Sequence, residues 1–137
     1  MTDLNFWPII VASIVAFAVS ALWYSPVLFG KEWLAHLKLT DADIAAAKNK
    51  GMTKLYVSQF VLTLVTFTVL GFAITSLGIM SARDGGMLAF IAWLGFMLPT
   101  SLGGMLWEKK TLKITLITSI STLICWIIGG AIIGGWN

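Results

Sequence analysis

The sequence predicts an all-α protein: a polytopic bundle of four transmembrane helices, with a short amphipathic interfacial helix between helices 1 and 2. Three observations carry that prediction. The 137 residues are 58% hydrophobic and only 11% charged, where a soluble domain averages about 25% charged residues. Four apolar segments fill the chain, each long enough to cross a hydrocarbon core about 30 Å thick. Positive charge is confined almost wholly to two of the three gaps between those segments. The remaining residues suffice for one substantial loop and two short ones, so residues 1–137 form a single integral membrane domain. The formal charge of +3 lies beside apolar segments, which points to anionic lipid headgroups rather than nucleic acid.

The first span covers about residues 7–24. Pro8 falls in its first turn, where a proline is tolerated, and Pro26 follows its end. Residues 1–6 hold Asp3 and no Lys or Arg, unlike the basic start of a secretory signal, so this segment is expected to be a span. The second span covers about residues 54–79, with Thr53 as N-cap and Gly78 near its exit. The third covers about residues 86–107 and the fourth about 114–136. Buried helices of a soluble bundle keep a polar stripe. Residues 9–18 and 87–99 carry no charge on any face.

Between the first two spans, Val27, Leu28, Phe29, Trp33, Leu34 and Leu37 alternate with Lys31, Glu32 and Lys38. That pattern predicts a short helix lying in the interface plane; a solvated connector is the other reading. Thr40-Asp41-Ala42-Asp43 then opens a second short helix, over 44–50, ended by Gly51. His36 is the sole histidine and has no ligand-spaced partner, so no metal site is expected.

Orientation follows from the loops. Lys31, Lys38, Lys48, Lys50, Lys54, Lys109, Lys110 and Lys113 fall in the first and third gaps, whereas Arg83 alone falls in the second. Basic loops resist translocation, so the eight lysines mark the cytoplasmic side and both termini are expected outside, in the periplasm. Trp23, Tyr24, Trp33, Tyr56 and Trp107 would then ring the inner interface, and Trp7 and Trp136 the outer one.

Helix packing inside a bilayer relies on small residues and interhelical hydrogen bonds. Gly95, Pro99 and Gly103 recur every four residues on span three, and Gly130 and Gly134 do so on span four. Thr118, Thr122 and Cys125 form a mildly polar stripe on span four, and Gln59, Thr63 and Thr66 one on span two. These fit tight packing, within or between subunits, or the polar lining of a passage. Pro99 removes a hydrogen bond near mid-span and frees a carbonyl near Gly95, with Thr100 and Ser101 placed to satisfy the opened backbone.

One polar cluster is expected at the inner interface. Spans one and three descend in the same direction, to Trp23-Tyr24-Ser25-Pro26 and to Trp107-Glu108. Glu108 would accept hydrogen bonds from Trp23, Tyr24 or Ser25, or pair with Lys31; alternatively it is a solvated charge offset by Lys109 and Lys110.

These blocks carry a resemblance. Phe6-Trp7-Pro8, then Leu22-Trp23-Tyr24-Ser25-Pro26-Val27-Leu28-Phe29-Gly30-Lys31 with Trp33, resemble the start of the domain-of-unknown-function 1761 family. Leu98-Pro99-Thr100, Leu106-Trp107-Glu108 and the closing Gly130-Ala131-Ile132-Ile133-Gly134-Gly135-Trp136 are similar to its later part. The resemblance covers nearly the whole chain. It implies a small four-span protein, chiefly bacterial and so of the inner (cytoplasmic) membrane, with Trp23, Tyr24, Pro26, Pro99 and Glu108 in a shared site. It implies no reaction.

The sequence holds no phosphate loop, nucleophile set, metal cluster or paired carboxylates on one span, so neither catalysis nor a cofactor is expected. Two functions remain: an accessory or structural membrane protein, homo-oligomeric, binding lipid or a partner; or a small oligomeric transporter or channel with its pathway near Pro99 and the span-four threonines. The lack of intramembrane charge favours the first.

Overall fold

The computed structural model describes residues 4–25, 28–31, 35, 42–43, 45–46, 53–108 and 110–136. Among these residues there is no strand, and four helices are long and apolar enough to cross a membrane. They are α1 (Phe6–Trp23), α2 (Thr53–Ser76), α3 (Ala82–Trp107) and α4 (Leu112–Trp136), each close to the limits expected from hydropathy. Most of the expected interfacial helix, including Pro26, Trp33 and His36, lies outside the described residues, as does most of the second short helix; Gly30, Lys31 and Ala35 are helical.

Local chemistry sets the ends. The Asn5 side chain caps α1 by accepting from the Trp7 N–H at 3.2 Å. At the other end of α2, Gly78 takes φ +71°. Its N–H bonds the Thr75 carbonyl at 3.1 Å, and the Ile79 N–H reaches back to Ile74 at 3.0 Å. This closure satisfies two of the helix's last carbonyls and needs the left-handed conformation that glycine tolerates. α3 begins four residues before the expected position because Ser81 caps it, accepting from the Asp84 N–H at 3.1 Å. Hydropathy had excluded Arg83 and Asp84, yet polar residues are at home in a first turn at the interface. The Thr111 hydroxyl does the same for α4, at the Ile114 N–H, 3.2 Å away.

The helices run alternately up and down, and α4 is the hub: α1, α2 and α3 all pack on it, whereas α2 barely meets α3. The core gathers Ile9, Ala12 and Ala16 of α1, Phe67, Leu70 and Ile74 of α2, Ala89 of α3, and Cys125 and Ile133 of α4. By position along each helix, that core occupies the half of the bundle that carries the chain ends. There α3 and α4 touch backbone to backbone. A Cβ on Gly130 would overlap the Gly85 carbonyl, and one on Gly134 would lie 3.0 Å from the Gly85 Cα. Small residues permit this approach, which maximises dispersion contacts where lipid gives helices no hydrophobic incentive to associate. The opposite half is looser: residues 98–107 of α3 bury no side chain, and residues 53–59 of α2 are all exposed.

Candidate functional site

In that looser half a cleft of about 930 Å³ opens between α1, α2 and α4, with Met97 reaching it from α3. Its size falls in the range of ligand pockets, roughly 300–1,000 Å³. Ala16, Phe17 and Ala21 of α1, Leu62 and Phe67 of α2, and Trp126 of α4 give it apolar walls. Ser20 and Tyr24 from α1 and its end, Gln59, Thr63 and Thr66 from α2, and Ser121, Thr122 and Cys125 from α4 add neutral polar groups. No charged side chain is among the described residues that line it. The α2 set lies on one face because the spacings of four and three residues return near the same azimuth. Phe17 meets Tyr56 and Phe60 edge-on, centroids 6.1 Å apart in each case, and so ties α1 to α2 at the cleft's side.

Hydrogen bonding in the cleft has a consistent direction. Thr63 donates to the Gln59 carbonyl at 2.9 Å, Thr66 to that of Leu62 at 3.2 Å, and Thr122 to that of Thr118 at 3.0 Å. Each hydroxyl proton is thus committed to the helix's own backbone, as is common for such residues in membrane helices. The Cys125 thiol donates to the Ala16 carbonyl at 3.6 Å and lies 3.4 Å from the Ser20 hydroxyl. Tyr24 and Ser121 are hydrogen-bonded through their side chains. The Gln59 amide nitrogen lies 3.5 Å from the Thr63 hydroxyl.

Above the cleft, α3 is irregular. Over Trp93–Met97 it is a π-helix, and the Leu98 N–H bonds the carbonyl of Trp93, five residues back. Pro99 follows at once and has no N–H to give, so the ladder is interrupted where the wider turn ends. The Thr100 hydroxyl donates to the Phe96 carbonyl at 2.6 Å, satisfying part of the opened backbone. The buried Trp93 indole donates to the Ser119 carbonyl of α4 at 2.8 Å. On the same face of α4, the hydroxyls of Ser119 and of Thr115 one turn earlier are buried without a partner.

The structure redistributes the residues expected at the inner interface. Of the two readings of Glu108, a lock on the end of span one or a solvated charge offset by lysine, the described contacts match the second. Glu108 is exposed and pairs with Lys110 at 3.0 Å, not with Lys31. The Trp23 indole donates to the Ile117 carbonyl of α4 at 3.0 Å, and the Ser25 hydroxyl to Leu22 at 2.7 Å. The reason is lateral placement: the ends of α1 and α3 share a depth, but α1 packs on α2 and α4. Trp107 is 88% exposed, Lys31 is exposed, and Ser101 is partly buried. Pro26 lies outside the described residues.

Gly30, part of the same sequence block, is buried where its N–H bonds the Ser25 carbonyl at 2.9 Å, and a Cβ there would overlap the Tyr24 carbonyl. The glycines divide. Gly130 and Gly134 meet α3 as expected, but Gly95 and Gly103 would present a Cβ to open space, and Pro99 is exposed. Their expected packing within the bundle is corrected: the partners of span four are Gly85 and Ser81, at the other end of α3. In the sequence Gly85 carries no packing signal, because it sits beside Arg83 and Asp84, outside the apolar run of span three.

Four membrane-length apolar helices, with a cleft among them whose described lining carries no charge, define a multi-pass membrane protein of the helix-bundle class. The model of the family described as "Protein of unknown function (DUF1761)" matches residues 7–134, and the chain belongs to that family. No curated protein and no solved structure matches it.

Proposed function

We propose that the protein is an accessory protein of the bacterial cytoplasmic membrane whose cleft holds a membrane amphiphile. One observation supports this most directly: a partly open cavity of about 930 Å³, free of charge among its described lining residues, includes Ala21 and Leu62, which are exposed on spans that would face lipid. A hydrocarbon chain can enter such a site without crossing water, and the neutral hydroxyls and amide offer a polar group somewhere to bind. The eight-to-one division of basic residues supports a reading in which the cleft opens toward the cytoplasmic side and both termini lie outside.

The alternative of a transport pathway joining Pro99 to the α4 threonines gains less support. Thr122 lines the cleft and Pro99 does not. The test is native mass spectrometry with lipid extraction on protein purified in mild detergent. Ala21 is exposed at the rim of the cleft, so Ala21→Trp fills the opening without touching the core. The wild-type protein should retain an amphiphile that Ala21→Trp loses. Equal retention by both proteins overturns the proposal.

A further inference from the structure

We infer that the ligand is an uncharged amphiphile whose polar part donates hydrogen bonds, a hydroxyl-bearing head on a hydrocarbon chain such as an acylglycerol. The inference rests on the reading of the cleft as an amphiphile site and adds the chemistry of the occupant.

Two observations fix that chemistry. The first is depth. At 1.5 Å per residue from the start of α2, Gln59, Thr63 and Thr66 lie roughly 9, 15 and 20 Å along the helix. In a hydrocarbon core about 30 Å thick they reach from near the headgroup level to past the midplane. A charged head drawn that deep needs a counter-charge. The described lining provides none, and exposed Lys54 lies outside it. A polar group held at that depth by the described lining would be neutral.

The second is the direction of the hydrogen bonds. A threonine hydroxyl has one proton and two acceptor lone pairs. The protons of Thr63, Thr66 and Thr122 go to the carbonyls of Gln59, Leu62 and Thr118. One acceptor position of Thr63 faces the Gln59 amide nitrogen at 3.5 Å; what otherwise remains toward the cleft on Thr63, Thr66 and Thr122 is acceptor capacity, and the Gln59 amide oxygen adds another acceptor. An ester or ketone carbonyl, which only accepts, would face mostly other acceptors. A head rich in O–H groups would complete them.

Three ligands with one hydrocarbon chain separate these terms: monoolein (neutral, donating), methyl oleate (neutral, accepting only) and oleate (charged). Each is titrated into the purified full chain in mild detergent and read by native mass spectrometry. Monoolein should bind at least about tenfold more tightly than either of the others, which corresponds to one or two net hydrogen bonds. The double variant Thr63→Val with Thr66→Val keeps the shape and removes two acceptors. It should bring monoolein down toward methyl oleate while leaving methyl oleate unchanged. Methyl oleate binding as tightly as monoolein overturns the donor requirement, and oleate binding most tightly overturns neutrality; in both cases the cleft still holds an amphiphile. Binding by none of the three removes the amphiphile reading itself, and this inference with it.

Discussion

Replacing Gly130 by alanine tests the contact on which the closed half of the bundle depends. The added methyl would lie 2.9 Å from the Ala89 Cβ and 3.1 Å from the Gly85 carbonyl carbon, whereas ordinary contact begins near 3.4 Å. Neither neighbour can swing aside: one belongs to backbone and the other is a fully buried methyl. α3 and α4 must therefore part by about half an ångström or more, which also loosens Gly134 against Gly85. Overpacking of this kind costs about 1–3 kcal/mol. The better helix propensity of alanine returns at most about 1 kcal/mol, so a net loss of about 1–2 kcal/mol is expected. Reversible unfolding in mixed micelles of increasing SDS content, followed by tryptophan fluorescence, measures it. Gly95→Ala and Gly103→Ala are the controls. Their methyls would meet nothing within 4 Å, so stability should stay level or rise by up to about 1 kcal/mol. If Gly130→Ala unfolds like wild type while Gly95→Ala is the damaging change, the described helix pairing is wrong.

Other substitutions probe single groups by the same titration. Trp93→Phe removes the indole N–H and its bond to the Ser119 carbonyl, which keeps its place in the backbone ladder of α4, so the expected loss is about 0.5–1.5 kcal/mol. Thr115→Val keeps the shape and removes a buried hydroxyl that has no partner, so it should be neutral or stabilising; a loss above about 1 kcal/mol would mean the hydroxyl is bonded. Glu108→Ala breaks an exposed pair and should change stability by less than about 0.5 kcal/mol, whereas Ser81→Ala, which uncaps α3, should cost about 1 kcal/mol.

Vertical position was legible in the sequence and lateral position was not. Hydropathy and proline placement put α1, α2 and α4 within a few residues of their ends, because the thickness of a bilayer is a one-dimensional constraint. Which helices adjoin is a two-dimensional question. Apolar faces around the whole circumference of each span carry no stripe to answer it, so the shared depth of Glu108 and Trp23 leaves open whether they meet, and in the structure each binds elsewhere. The polar sets of the cleft were visible as stripes at Gln59, Thr63 and Thr66 and at Thr122 and Cys125. That they face one another across a cavity follows from α4 acting as hub. Pro99 marked the irregular stretch of α3, but the π-turn before it depends on the register of Trp93 against Ser119, which composition does not encode.

The close seam between Gly85 and Gly130 and the unburied stretch of α3 beyond Pro99 belong to one molecule, and the contrast between them has a mechanical meaning. At the end near the termini the girth is fixed by touching backbones. At the other end it can grow or shrink by side-chain rearrangement alone. A body that changes width in a single monolayer acts on its surroundings as a wedge, so filling the cleft as proposed would be felt as local curvature of the sheet that holds it.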